Sequence, residues 1–226
     1  MARLLIHVEG QTEEGLVTEI LREHLTAKGF DRVDATLGGN PRLRHRGGIR
    51  PWSSFKADIM NHLKEDQGCF ATTMVDYYGM PHSWPGRAQA AGMASAEEKA
   101  RFVEDAVSGD LLQEMGDRFD PSRFVPFVVV HEFEGLLFSD CAAFSSGIGR
   151  PELRAEFQGI RDGFATPEEI DDSPETAPSK RVGALVHGYQ KPFLGILAVL
   201  EIGLARIQDE CPHFGDWLRR LEGLVH

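Results

Sequence analysis

The chain has 226 residues, of which 42% are hydrophobic and 26% charged, ordinary globular usage that suits one domain with a sizeable core. Its formal net charge of -11 repels polyanions in general and argues against a protein that coats nucleic acid over its whole surface. No apolar run reaches the roughly 18 residues of a membrane span, the N-terminus lacks a signal-peptide pattern, and Cys69, Cys141 and Cys211 are widely spaced with no CxxC pair, so a cytoplasmic protein with reduced cysteines and no membrane partner is expected.

The chain opens on RLLIHVEGQTEE. Leu4, Leu5, Ile6 and Val8 read as a buried parallel strand. Glu9 and Gly10 make the turn, and Leu16, Val17, Ile20, Leu21 and Leu25 give the following helix its apolar face. In open α/β sheets ligands bind outside the carboxyl ends of the strands, which puts Glu9 at the rim of such a crevice. Gly29 offers a helix stop, and residues 31–37 alternate as a half-exposed strand.

The next segment, GGNPRLRHRGGIRPW, is a loop rich in glycine and proline that carries Arg42, Arg44, Arg46 and Arg50, with no acid between Asn40 and Lys56. It is either a basic arm for a nucleic-acid backbone or a solvated loop. Residues 52–65 form a helix with Phe55, Ile59 and Leu63 on one face, and residues 70–75 a strand that runs into Asp76. A long loop, 82–95, leads to a helix over 96–115.

Residues 124–130 (FVPFVVV) are strand-like despite Pro126, which prefers a strand start or an edge, and lead straight into His131, Glu132, Phe133 and Glu134. Short helices are expected at 135–138 and 152–158, an extended loop at 166–180, and helices at 193–208 and 212–224. The order is that of an α/β fold: a mostly parallel sheet with helices on both faces. One domain over 1–226 is expected, with a core to about residue 140 and a helical C-terminal extension after it.

Acid follows strand at Glu9, at Asp76 and at the Glu132/Glu134 pair. Converging carboxylates suit Mg²⁺ or Mn²⁺, which take hard oxygen ligands and can activate water for phosphodiester cleavage. The competing reading is helix capping, which accounts for Glu13 and Glu14 in a first turn but not for Glu9 before Gly10. Lys180 and Arg181 are the natural cations for a phosphate, Lys180 at the scissile position, unless they are a solvated pair. His7 reads as a packing residue, His131 as a possible partner of a ligand carboxylate, and His187 and His213 as structural residues. Tyr77 and Tyr78 either stack on a base or simply pack.

A strand ending in Val8-Glu9-Gly10-Gln11-Thr12-Glu13, followed by a later strand ending in an acid, resembles the Toprim fold of topoisomerases, primases and OLD-type nucleases. VDYYG at 75–79, HEFEGLLFSD at 131–140, ETAPSKR at 175–181 and CPHFGDWL at 211–218 together resemble the DUF4276 family, a Toprim-like group found beside ATPases in bacterial defence loci. The resemblance implies a Toprim-like sheet with a helical C-terminal elaboration. It makes Glu9 the Toprim glutamate, a metal ligand or general acid/base, and Asp76 the first acid of the DxD pair. Tyr78 stands where the second acid belongs, so Glu132 or Glu134 would have to supply it; Glu13 completes the expected metal set.

The activity so implied is a Mg²⁺- or Mn²⁺-dependent nuclease, effector of a phage-defence system, with catalytic Glu9 and Lys180 and with Arg42, Arg44, Arg46 and Arg181 on the DNA or RNA backbone. An AAA- or ABC-type ATPase is the implied protein partner. The rival is a non-catalytic Toprim-like module that regulates such an ATPase, and a third option is a phosphohydrolase of small nucleotides.

Overall fold

A computed structural model describes residues 1–37, 49–170 and 176–225. Five strands, β1 (Arg3–Val8), β2 (Arg32–Leu37), β3 (Cys69–Asp76), β4 (Phe124–Val125) and β5 (Val128–Val129), form a sheet of order β2-β1-β3-β4, with β5 also beside β3. Every pairing is parallel. All strands therefore end on one side of the molecule, which gathers the residues that follow them. A parallel sheet needs cover on both faces. On one face Ala71, Val75 and Val128 meet α3 (Trp52–Glu65) and α5 (Ala96–Met115) through Phe55, Ile59, Val103 and Val107. On the other, Leu4, Ile6 and Val8 meet Leu16, Leu21 and Leu25, as the alternation along β1 requires.

The first helix runs from α1 (Gln11–Leu16) through a π-helical turn at Val17–Leu21 into α2 (Arg22–Ala27), where the sequence predicts an unbroken helix. The expected strand at 124–130 divides at Pro126, which has no N–H for the ladder. Thr73 bridges the gap: its Oγ1 donates to Phe127 O at 2.8 Å and accepts from Phe127 N at 2.9 Å. The long loop after β3 holds one short helix, α4 (Arg87–Ala90).

Past residue 139 the chain is helical: α6 (Cys141–Gly147), α7 (Arg154–Arg161), α8 (Pro178–Leu185), α9 (Lys191–Ile202), α10 (Leu204–Glu210) and α11 (Pro212–Glu222). This segment shares its core with β1 through residues such as Phe144, Val199 and Phe214, and Trp217 Nε1 donates to Thr72 Oγ1 at 2.9 Å. The C-terminal helices thus cover one face of the sheet.

Two local expectations are corrected. The extended loop predicted to reach residue 180 ends at Ala177, because Pro178 opens α8 at a position where its missing N–H costs nothing. The single helix predicted over 193–208 begins at Lys191 and breaks at Gly203, whose φ of 82° stops α9 before α10 starts. No described helix is long and apolar enough to cross a membrane.

Candidate acidic site at the strand ends

Glu9 and Asp76 end adjacent parallel strands, so their backbones are neighbours, and Glu9 Oε2 accepts a hydrogen bond from Asp76 N at 3.2 Å. Glu13, one turn into α1, folds back so that its Oε2 accepts from Gly10 N at 3.1 Å. Small residues let the carboxylates approach. A Cβ at Gly79 would lie 3.0 Å from Glu9 Oε1, and one at Gly10 would lie 3.3 Å from Glu13 Oε2.

Glu134 enters from the 3₁₀ segment Phe133–Ser139 and is wholly buried. Glu132, one residue before that segment, is extended and accepts from Ser179 N at 2.9 Å. Since Glu134 lies within the 3₁₀ segment, the two acids are not neighbours on one face of a strand. Both nevertheless act electrostatically on the rest of the cluster: Glu132 on Glu9, and Glu134 on Asp76.

Among the described residues, the cation paired with these acids is Lys191, at the start of α9. Its Nζ lies 2.9 Å from Glu134 Oε2 and 3.9 Å from Asp76 Oδ2. Lys180 instead projects exposed from α8. The clue to Lys191 in the sequence is its place before Pro192: a lysine in a helix's first turn opposes the helix dipole, so it calls for an acid from elsewhere.

Burial, then the charge of Glu13, pushes the Glu9 carboxyl up to about 7, even though the Asp76 N–H and Lys191 pull the other way. Burial and the charges of Glu13 and Glu9 push Asp76 well above the ordinary carboxylate range. Glu13 and Glu134 are also raised by burial, with Lys191 opposing in both cases. Burial works against the charge of Lys191, but Glu134 and Asp76 outweigh it and hold the ammonium above the ordinary lysine value. Burial and mutual repulsion therefore favour the protonated carboxyls, and a cation entering the site would displace their protons.

Asp76 Oδ1 and Glu134 Oε1 are buried and accept no hydrogen bond from the described residues. Among the described residues no three His, Cys, Asp or Glu stand close enough together to hold an ion on their own. Mg²⁺, however, takes one or two carboxylates and completes its shell with water and substrate oxygens. Buried carboxyl oxygens without partners among the described residues, whose protons a cation would displace, fit that ion.

The remaining sequence candidates are spread more widely. Arg42, Arg44 and Arg46 lie outside the described residues. Arg181 donates from Nε to Thr176 O at 2.8 Å, and its guanidinium stands 5.6 Å from the centre of the Phe164 ring. His131 has a φ of 64° and stacks on Tyr78 with ring centres 5.2 Å apart. Tyr77 packs under Arg87, 3.9 Å from its guanidinium carbon. His7 is buried against Phe55 and His62, the packing role expected of it. His213 is buried as well, with Nε2 2.8 Å from Glu104 Oε1.

The model of a family described as a domain of unknown function, DUF4276, matches residues 8–222. No curated protein and no solved structure matches the chain.

Proposed function

The chain belongs to the DUF4276 family, and from its acid cluster we propose that it is a metal-dependent phosphodiester hydrolase, a nuclease of Toprim-like type. The observation that carries the reading is that Glu9, Glu13, Asp76 and Glu134, from separate elements, lie within electrostatic reach of one another, with the ammonium of Lys191 beside Glu134 and Asp76. Such a cluster costs stability, and carboxylates perturbed by burial and by one another mark functional sites.

Asp76 and Glu9 would hold Mg²⁺ or Mn²⁺, with water and substrate oxygens completing its shell and Glu134 or Glu13 reached through those waters. When bound, the ion lowers the pKa of a coordinated water and offsets charge on phosphate oxygens. Where Asp76 alone holds the ion, Glu9, whose carboxyl is raised by burial, would instead be the group that accepts a proton from the attacking water. Lys191 takes the place assigned by sequence to Lys180, offering positive charge where negative charge develops on the phosphate. Arg181 and the arginines at 42, 44 and 46 would hold the backbone of the DNA or RNA.

The test is incubation of single- and double-stranded DNA and RNA with the protein in Mg²⁺ or Mn²⁺. Cleavage by the parent and its loss in Glu9→Gln is the expected result. Cleavage that survives in Glu9→Gln refutes the assignment, as does calorimetry without Mn²⁺ binding at millimolar concentration.

A second reading, the regulatory partner of an ATPase, is favoured by a separate observation. Phe193, Leu197 and Leu200 are exposed at spacings of four and three residues along α9, the pattern of a helix-pairing seam. Lys191 begins that same helix, so a protein docked on α9 would press on the element that carries the site's cation.

A further inference from the structure

A cavity of about 430 Å³ opens between the first turn of α5 and the segment around residues 164–169. Its lining includes Val130 and His131, and His131 is joined by one peptide bond to Glu132, so cavity and cluster share a stretch of backbone. The volume lies within the range of small-molecule sites. Resting on the nuclease reading above, we propose that this cavity is a nucleobase subsite that takes guanine, stacked on Phe164 and hydrogen-bonded through its amino edge to Glu97 and Glu169.

The lining sets the chemistry. Val130, Ala96 and the Phe164 ring give apolar surface suited to a planar ring. Three of the polar groups are carboxylates, Glu97, Glu168 and Glu169, and they line the cavity with Ser95 and His131, which can donate as well as accept. Both oxygens of Glu168 are engaged, taking the N–H groups of His213 and Phe214 at 2.9 Å each. One oxygen of Glu97 accepts from Arg101 Nε at 2.8 Å and one of Glu169 from Ala165 N at 3.3 Å. A carboxylate has about four lone-pair sites, so both retain acceptor capacity.

Carboxylates repel a phosphate from the interior and ask for N–H donors. Guanine presents two donors on one edge, N1–H and the 2-amino group, which suits a carboxylate better than any other common base does. The phosphate of the same nucleotide belongs outside, where Arg181 stands over the Phe164 ring. Glu97 and Glu169 are exposed at the mouth, so the edge can be read without burying a bare charge.

The experiment titrates guanosine, inosine and cytidine, none carrying phosphate, into the full chain with chelator present, followed by saturation-transfer NMR. Guanosine is expected to bind saturably and about tenfold more tightly than inosine, which lacks the 2-amino group. Glu169→Gln is expected to erase that difference, with the circular dichroism spectrum unchanged. Equal binding of guanosine and inosine, no saturable binding of any nucleoside, or preference for a simple amine such as agmatine overturns the proposal. Guanosine binding without nucleic-acid cleavage leaves the subsite standing and removes the nuclease reading; cleavage without nucleoside binding does the reverse.

Discussion

Replacing Lys191 with methionine keeps the length of the side chain and removes the ammonium on which Glu134 and Asp76 depend. The contacts at 2.9 Å and 3.9 Å correspond to roughly 6 and 4 kcal/mol of gross attraction at an effective dielectric of about 20. Desolvation takes back most of that, and breaking a buried pair by removing one partner costs about 3–5 kcal/mol. Glu134 is fully buried, but the Lys191 side chain is 39% exposed, so screening brings the expected loss down to about 2–3 kcal/mol at pH 8.

The pH dependence follows from the carboxylates. Their folded-state pKa values lie above the unfolded ones, so the stability linked to their protonation is present in acid and lost as pH rises through the folded values. Losing Lys191 raises those values further, and the variant suffers more at pH 8 than at pH 5. Urea unfolding with chelator present, read by the buried Trp52, Trp84 and Trp217, measures both. A loss below about 0.5 kcal/mol, or one equal at the two pH values, would refute the picture of a buried acid cluster held together by this lysine.

Three further outcomes are expected. Glu9→Gln, besides abolishing cleavage, should stabilise the metal-free protein by about 2–3 kcal/mol at pH 8 and by little at pH 4.5, because a carboxyl raised to about 7 loses its contribution as pH climbs from 4.5 through 7; paired urea melts check it. His7 has the opposite sign: burial and the neighbouring His62 lower it to about 3, so its contribution is intact above pH 6.5 and lost as pH falls towards 3. At pH 5 the loss amounts to about 2 kcal/mol, and His7→Leu should flatten the acid limb of a stability–pH curve by that amount. Glu168→Ala leaves the first N–H groups of α11 without their carboxylate and should cost about 1–2 kcal/mol, readable as a lowered Tm.

Much of this was legible in the chain itself. Leu4 to Val8 could only be a covered strand, the helix over 52–65 declared its face through Phe55, Ile59 and Leu63, and acids after β1, β3 and β5 drew attention to one end of the sheet. These readings use local rules, spacing and turn chemistry, which act between residues close in sequence. The break at Gly203 was missed because a glycine inside an apolar run is compatible with either a helix or its end. The start of α8 was missed because Pro178 follows an acid- and proline-rich stretch that resembles a loop.

Lys191 went unnoticed for a different reason. Lys180 lies in a motif beside Arg181, while Lys191 sits alone, and sequence carries no measure of distance between Lys191 and Asp76. The C-terminal helices fold back over β1 because its second face, Leu4, Ile6 and Val8, must be buried, and that packing delivers α9 with Lys191 at its tip to the acids. So the sequence by itself determined the sheet, its polarity and the end at which carboxylates collect, since alternation and strand order act locally. Which positive charge stands beside them, that Glu134 leaves the extended segment for a 3₁₀ turn, and that a cavity adjoins His131 were decided only by tertiary structure, because burial and Coulomb interaction depend on distances that chain packing sets.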